Sequence, residues 1–169
     1  LAGNKTIIKP TERTPMSAIR FVQILLNNGM PPEMISIVTG KSSEIGDELV
    51  SSQKIDMVTF TGSTEVGRKL TNMAGIKKLT MELGGNDPLI VLEDGDLDKA
   101  AKLAVAGAYG NAGQACRGVK RILVINSVAD AFAEKLKAET EKIKCGDPFD
   151  PDTAIGTVID EQAAIEIEE

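Results

Sequence analysis

Short apolar runs rich in β-branched residues alternate with stretches of helical spacing three times between residues 6 and 74. Thr6-Ile7-Ile8 is followed by Ile19, Val22, Leu25 and Leu26. Ile35, Ile37 and Val38 are followed by Ile45, Leu49 and Val50. Met57 to Phe60 is followed by Val66, Leu70 and Met73. Strands joined through helices by short connections run parallel, so the repeated pattern predicts a parallel sheet with helices on its faces. Lys9-Pro10 ends the first strand, which reads as buried, and Asn27-Asn28-Gly29 stops the first helix. A further strand, Leu79 to Leu83, runs into Gly84-Gly85, where we place a boundary dividing the chain into domains 1–84 and 85–169.

The second part reads as a strand at Pro88 to Leu92, an Ala-rich helix from Leu97 to about Tyr109 and a glycine-broken loop holding Cys116. A strand at Arg121 to Ile125 follows, then a helix capped by Ser127 and running to about Ile143, and a loop over 145–152. The terminal EQAAIEIEE reads as a helix still running, and with Leu1 in place of Met both ends read as cut.

Composition removes several functions. Aromatics make up 3% of the chain and the net charge is -6, which argues against a nucleic-acid binder, whose phosphate contacts require a basic face. No apolar run approaches the roughly 20 residues that span a bilayer, and LAGNKTIIKP lacks the charged, apolar and cleavage regions of a signal peptide, so a cytoplasmic protein with no membrane partner is expected. Cys116 and Cys145 then read as free thiols. The count of histidines is 0, which leaves no Ser-His-Asp triad, Cys-His pair or histidine-rich zinc site; any base must be a carboxylate, lysine or water. The acidic stretch Glu93, Asp94, Asp96 and Asp98 lacks the spacing of a calcium loop and reads as a helix cap, so no metal is expected.

Four places carry possible chemistry. In FTGSTEVGRKL, Gly62, Ser63 and Gly67 stand where a strand hands over to a helix, a geometry that presents free N–H groups to an anion such as pyrophosphate; the same residues also read as a glycine turn with Ser63 as helix cap. Lys9 and Glu12 follow the first strand, where open α/β sheets bind ligands, and suit ribose hydroxyls, or else form a solvated charge pair. Cys116, in NAGQACRGVKR, has Arg117, Lys120 and Arg121 nearby, cations that favour a nucleophilic thiolate; the alternative is an ordinary buried cysteine. Glu82 ends an apolar strand before Gly84-Gly85 and, if partly buried, suits general-base work; otherwise it is an exposed strand-end charge.

Taken together, IIKPTERTP, FTGSTEVGRKL, MELGGNDPLIVLEDGDLD and GNAGQACRGVKRILV resemble the aldehyde dehydrogenase superfamily in order and spacing, over nearly the whole chain. The resemblance implies a Rossmann-like parallel sheet with flanking helices, the C-terminal part of a dinucleotide-binding domain, followed by the start of a second, thiol-bearing α/β catalytic domain. It implies NAD, with NADP open, held by Lys9, Glu12, Gly40, Gly62, Ser63, Gly67 and Leu83. It makes Cys116 the nucleophile that turns a small aldehyde into a thioester, its N–H part of an oxyanion hole, and Glu82 the base that hydrolyses that thioester.

The family's asparagine oxyanion donor and its Glu-x-Phe cofactor clamp are not among these residues, so the chain alone is expected to be inactive, and the full-length enzyme is expected to be a homo-oligomer. Asn86 stands where ELGGK is frequent, and ELGGNDPLIVLED with VKRILV resembles the branch of lactaldehyde, phosphonoacetaldehyde and non-phosphorylating glyceraldehyde-3-phosphate dehydrogenases. In that branch an Arg more often precedes the cysteine, where Ala115 stands here, while Arg117 follows it. A CoA-acylating enzyme and a non-catalytic nucleotide-binding fragment are the alternatives.

Overall fold

A computed structural model describes residues 2–168. The chain divides after Glu82 into two compact units.

In the first unit, β1 (Thr6–Ile8) leads through α1 (Met16–Asn27) to β2 (Ile35–Ile37), and the two strands pair in parallel, Thr6 opposite Ile35 and Ile8 opposite Ile37. After α2 (Ser42–Ser51), β3 (Met57–Thr61) leads through α3 (Thr64–Ala74) to β4 (Lys78–Glu82), again a parallel pair. The β-branched runs and their crossover helices therefore form as the pattern predicts, but as two separate strand pairs among the described residues rather than one continuous sheet. Local sequence sets which stretches are strands; which edges meet depends on neighbours elsewhere in the chain.

The core of this unit lies on one side of β3 and β4. Val58, Phe60, Leu79 and Met81 alternate inward and pack with Val50, Leu70 and Ala74 of the helices. Met57, Thr59, Thr61, Lys78, Thr80 and Glu82 occupy the other face and are exposed. β1 is also exposed at Thr6 and Ile7, contrary to the buried strand expected from its composition.

The second unit repeats the plan once. β5 (Asp87–Val91) runs through α4 (Leu97–Tyr109) to β6 (Val119–Val124), paired in parallel from Pro88 opposite Arg121 to Val91 opposite Val124. α4 starts where its carboxylate cap predicts: Asp96 accepts the Lys99 N–H at 3.0 Å. Phe132 of α5 (Ala129–Thr140) packs with Val91, Ala101 and Ala104, closing a core over one face of the pair. Ser127 does not cap α5. It lies inside a short 3-10 turn, Asn126–Val128, which delays the helix start, and Val128 stands at the cap without a side-chain bond.

The acidic-flanked loop after α5 closes through parallel bridging of Cys145 to Ile155 and an ion pair between Lys144 and Asp150 at 2.7 Å. α6 (Glu161–Glu168) follows. No helix among the described residues is long and apolar enough to cross a membrane.

Candidate active site

The first unit gathers several of the expected residues at the carboxyl ends of its strands. Thr61 and Glu82 are register partners, and the Gly62 N–H donates to the Glu82 carbonyl at 3.1 Å. The turn into α3 and the Glu82 carboxylate therefore leave two adjacent parallel strands side by side, where open α/β sheets bind ligands. Gly62 is needed there, since a Cβ would sit 2.4 Å from the Phe60 ring. Glu82 is exposed, not partly buried, because the inward positions of β4 fall on Leu79 and Met81.

Ser63 is the N-cap of α3, its Oγ accepting the Val66 N–H at 3.2 Å, and its carbonyl accepts the N–H of Gly67, which is buried in the helix. The reading of Ser63 as a helix cap holds. The hydroxyl is engaged as a cap, while the Thr64 and Glu65 N–H groups make no hydrogen bond among the described residues. Two open donors at the positive end of a helix fit an anion such as a dinucleotide's pyrophosphate.

At the other strand pair, Lys9 and Glu12 do not pair with each other. The Lys9 ammonium donates to the Pro10 carbonyl at 3.1 Å, and the Glu12 carboxylate accepts the Ser42 N–H at 2.9 Å, at the start of α2. A carboxylate at a helix N-terminus is held by the open N–H groups and the dipole, which accounts for its direction. Gly40, with φ 154°, turns the chain between β2 and α2, and half-buried Leu83 follows β4.

In the second unit, Cys116 lies on the loop between α4 and β6 and is exposed, which removes the reading of an inert buried cysteine. Cys145 is an exposed free thiol as well, so exposure alone does not single out Cys116. What distinguishes Cys116 is the bracing of its loop. The Ala115 carbonyl accepts from both the Gly118 N–H at 3.1 Å and the Lys120 ammonium at 2.8 Å. Gly85 lies so close that an added Cβ would be 2.9 Å from the Cys116 carbonyl oxygen. The Cys116 N–H makes no hydrogen bond among the described residues.

The cations beside the thiol are arranged otherwise than their spacing suggested. Lys120 braces the loop backbone, and the Arg121 guanidinium is turned to the Asn86 carbonyl, at 3.0 and 2.8 Å. Both satisfy carbonyls that the glycine-rich segments leave without strand or helix partners. Arg117 alone of the three makes no hydrogen bond among the described residues. The spacing of residues did not reveal the bonds that Gln114 makes in this loop, nor that Gly85 lies against it. No cluster of metal-ligating side chains occurs among the described residues.

Comparison with known proteins gives the family of the chain. The sequence model of the aldehyde dehydrogenase family matches residues 1–169. The chain is 42% identical to an NADP(+) succinate-semialdehyde dehydrogenase of Escherichia coli, over 99% of this chain and 35% of that protein. It is 38% identical to a lactaldehyde dehydrogenase of Methanococcus aeolicus, over 98% of this chain and 37% of that one. The crystal structure of a Staphylococcus aureus betaine aldehyde dehydrogenase in complex with NAD+ superposes with a TM-score of 0.92 at 37% identity, covering 97% of this chain and 33% of the other. The chain thus spans about a third of the length of the relatives it matches. With the family model matched along all 169 residues and identities near two in five, this chain belongs to the aldehyde dehydrogenase family.

Proposed function

We propose that the protein carrying these residues oxidises a small aldehyde to the carboxylic acid, with Cys116 as nucleophile and Glu82 as hydrolytic base. The observation that carries the reading is the Cys116 loop: an exposed thiol on a braced backbone, its own N–H left without a partner. The thiolate adds to the aldehyde carbon, giving a thiohemiacetal whose oxygen takes the Cys116 N–H, a donor most useful once negative charge develops there. When bound, the dinucleotide supplies the two-electron acceptor that converts this adduct to a thioester. Glu82 then takes a proton from water as the water attacks the thioester carbon, and the C–S bond breaks to release the acid and return the Cys116 thiolate.

The family implies NAD or NADP, and the residues of the first unit fit its recognition. Thr64 and Glu65 N–H groups at the Ser63 turn suit the pyrophosphate, and Lys9 suits a ribose hydroxyl. NAD is our first reading, since Glu12 beside Lys9 would repel a 2′-phosphate. NADP is the second, favoured by one observation: the Glu12 carboxylate is turned to the Ser42 N–H. Small aldehydes are the substrate class, as in the relatives named above, and Arg117, directly after the thiol, is placed in sequence to meet an anionic one.

The test uses the whole protein with short aldehydes and either dinucleotide, followed by absorbance of the reduced nicotinamide. Cys116→Ser is expected to abolish turnover. Glu82→Gln is expected to retain a first burst of reduction and to lose steady-state turnover by about 100-fold or more. Undiminished turnover in Cys116→Ser would refute the nucleophile; undiminished turnover in Glu82→Gln would favour resolution of the thioester by another acceptor, such as CoA.

A further inference from the structure

The loop that carries Cys116 begins in a backbone conformation that side chains rarely adopt. Asn111 has φ 55° and ψ 38°, Ala112 has φ 55° and ψ 34°, and Gly113 has φ 75°. Of these three only the glycine enters the left-handed region without steric cost, so the surrounding contacts must hold the other two there.

Those contacts converge on Gln114. Its backbone N–H and its side-chain Nε2 both donate to the Asn111 carbonyl, at 3.1 and 3.0 Å, and its carbonyl accepts the Asn111 Nδ2 at 3.2 Å. The remaining end of the amide, Oε1, accepts the Ile159 N–H at 2.7 Å, 45 residues along the chain. Ile159 precedes Asp160, whose carboxylate accepts the Ala163 N–H in the first turn of α6. Among the described residues no other side chain of 110–118 reaches so distant a partner.

We infer that Gln114 is a positioning residue for the Cys116 thiol. The inference rests on the reading of Cys116 as nucleophile. One amide does two jobs of opposite polarity: its donor end pins the left-handed turn, and its acceptor end ties that turn to the segment entering α6. Only Ala115 separates it from Cys116 in sequence, so freedom gained at Gln114 is passed to the thiol and to the Cys116 N–H through a backbone too short to absorb it. The primary amide suits the place because it joins a donor and an acceptor in one planar group at the end of a flexible stem. Glutamate keeps an oxygen for Ile159 but sets a second oxygen against the Asn111 carbonyl. Methionine, of similar length, keeps neither bond.

The experiment compares wild type, Gln114→Met, Gln114→Glu and Cys116→Ser in the whole protein. It reads kcat and KM for aldehyde and dinucleotide, the pH profile of Cys116 alkylation by iodoacetamide, and the melting temperature. Gln114→Met is expected to lower kcat by about 10- to 100-fold, the cost typical of a displaced reacting group, with the dinucleotide KM unchanged and the alkylation profile altered. Gln114→Glu is expected to fall between the two. If Gln114→Met does not fold, Gln114→Glu decides the matter by the same readings at an unchanged melting temperature. Wild-type kcat and alkylation in Gln114→Glu and in any folded Gln114→Met would overturn the inference, even if their melting temperatures fell. Turnover surviving in Cys116→Ser would instead overturn the nucleophile itself, a distinct failure.

Discussion

Ala112 shows what single residues contribute to this site and why sequence hides it. Nothing in its identity announces φ 55°, because alanine avoids the left-handed region by about 1–2 kcal/mol. Replacing it with glycine removes that cost and adds back part of it as chain entropy in the unfolded state. Ala112→Gly should therefore stabilise the folded protein by up to about 1 kcal/mol, measured by denaturant unfolding with an unchanged slope. A loss of stability would mean that the methyl group makes a packing contribution larger than the strain. Cys116 and Glu82 stand out in the sequence as candidates because unusual types stand in unusual company, a cysteine between glycines and a carboxylate ending an apolar run. Gln114 was not legible, since its partner lies 45 residues away and a surface glutamine carries no pattern. The fates of Lys120 and Arg121 were hidden for a related reason: a cation in sequence proximity to a thiol is drawn to whichever carbonyl the backbone leaves open, and that is a matter of turn geometry.

At the scale of elements most of the fold could be read, because apolar spacing and punctuation act locally. α1 stops at Asn27 where Asn28-Gly29 requires it, and α4 begins at its Asp96 cap and ends at Tyr109. Pairing between elements depends on long-range contacts and was less visible; the pin between α4 and α5 is an example. The Lys135 ammonium reaches the Asp98 carboxylate at 2.6 Å, and this hydrogen bond, with the charge of the same lysine, holds the Asp98 carboxyl below the ordinary aspartate range. The sign follows from linkage: a carboxyl whose folded pKa is depressed adds stability above its unfolded pKa, near ~3.9, and loses it as pH falls through the lower folded value. Asp98→Asn should thus reduce stability at neutral pH by a small amount, since both groups are solvent-exposed, and the difference from wild type should vanish under acid. Thermal melts of both proteins from neutral pH down through the carboxylate range test this. A difference that persisted once Asp98 is protonated in wild type would assign the effect to helix packing instead of charge.

The whole molecule keeps more surface than its mass calls for. Its accessible area is 12533 Å², whereas two separate compact units of half the mass each would expose ~9,700 Å² in all by the usual scaling of surface with mass. Large apolar side chains contribute to that surface, and some are ordered by strand period. On β5, β6 and the residues just after them, Leu89, Val91, Ile122 and Val124 face the core of the second unit, while Ile90, Leu92, Leu123 and Ile125 stand on the opposite face at 42–63% exposure. α1 similarly leaves Phe21 and Ile24 uncovered. Parallel strands are ordinarily covered on both faces, and contiguous apolar area of this kind marks a surface that some other element covers. The 169 residues prepared alone are therefore expected to self-associate as concentration rises, to bind an apolar dye, and to show no dinucleotide reduction with short aldehydes. Replacing Ile90 and Leu123 together by Thr, a β-branched residue that suits a strand while removing apolar surface, should lower both association and dye binding without melting the unit. Light scattering across a concentration series, with dye fluorescence on the same samples, is the measurement. A monomer at every concentration that ignores the dye would show that these side chains already find cover within the chain, and robust turnover by the same preparation would show that the catalytic machinery is complete within these residues.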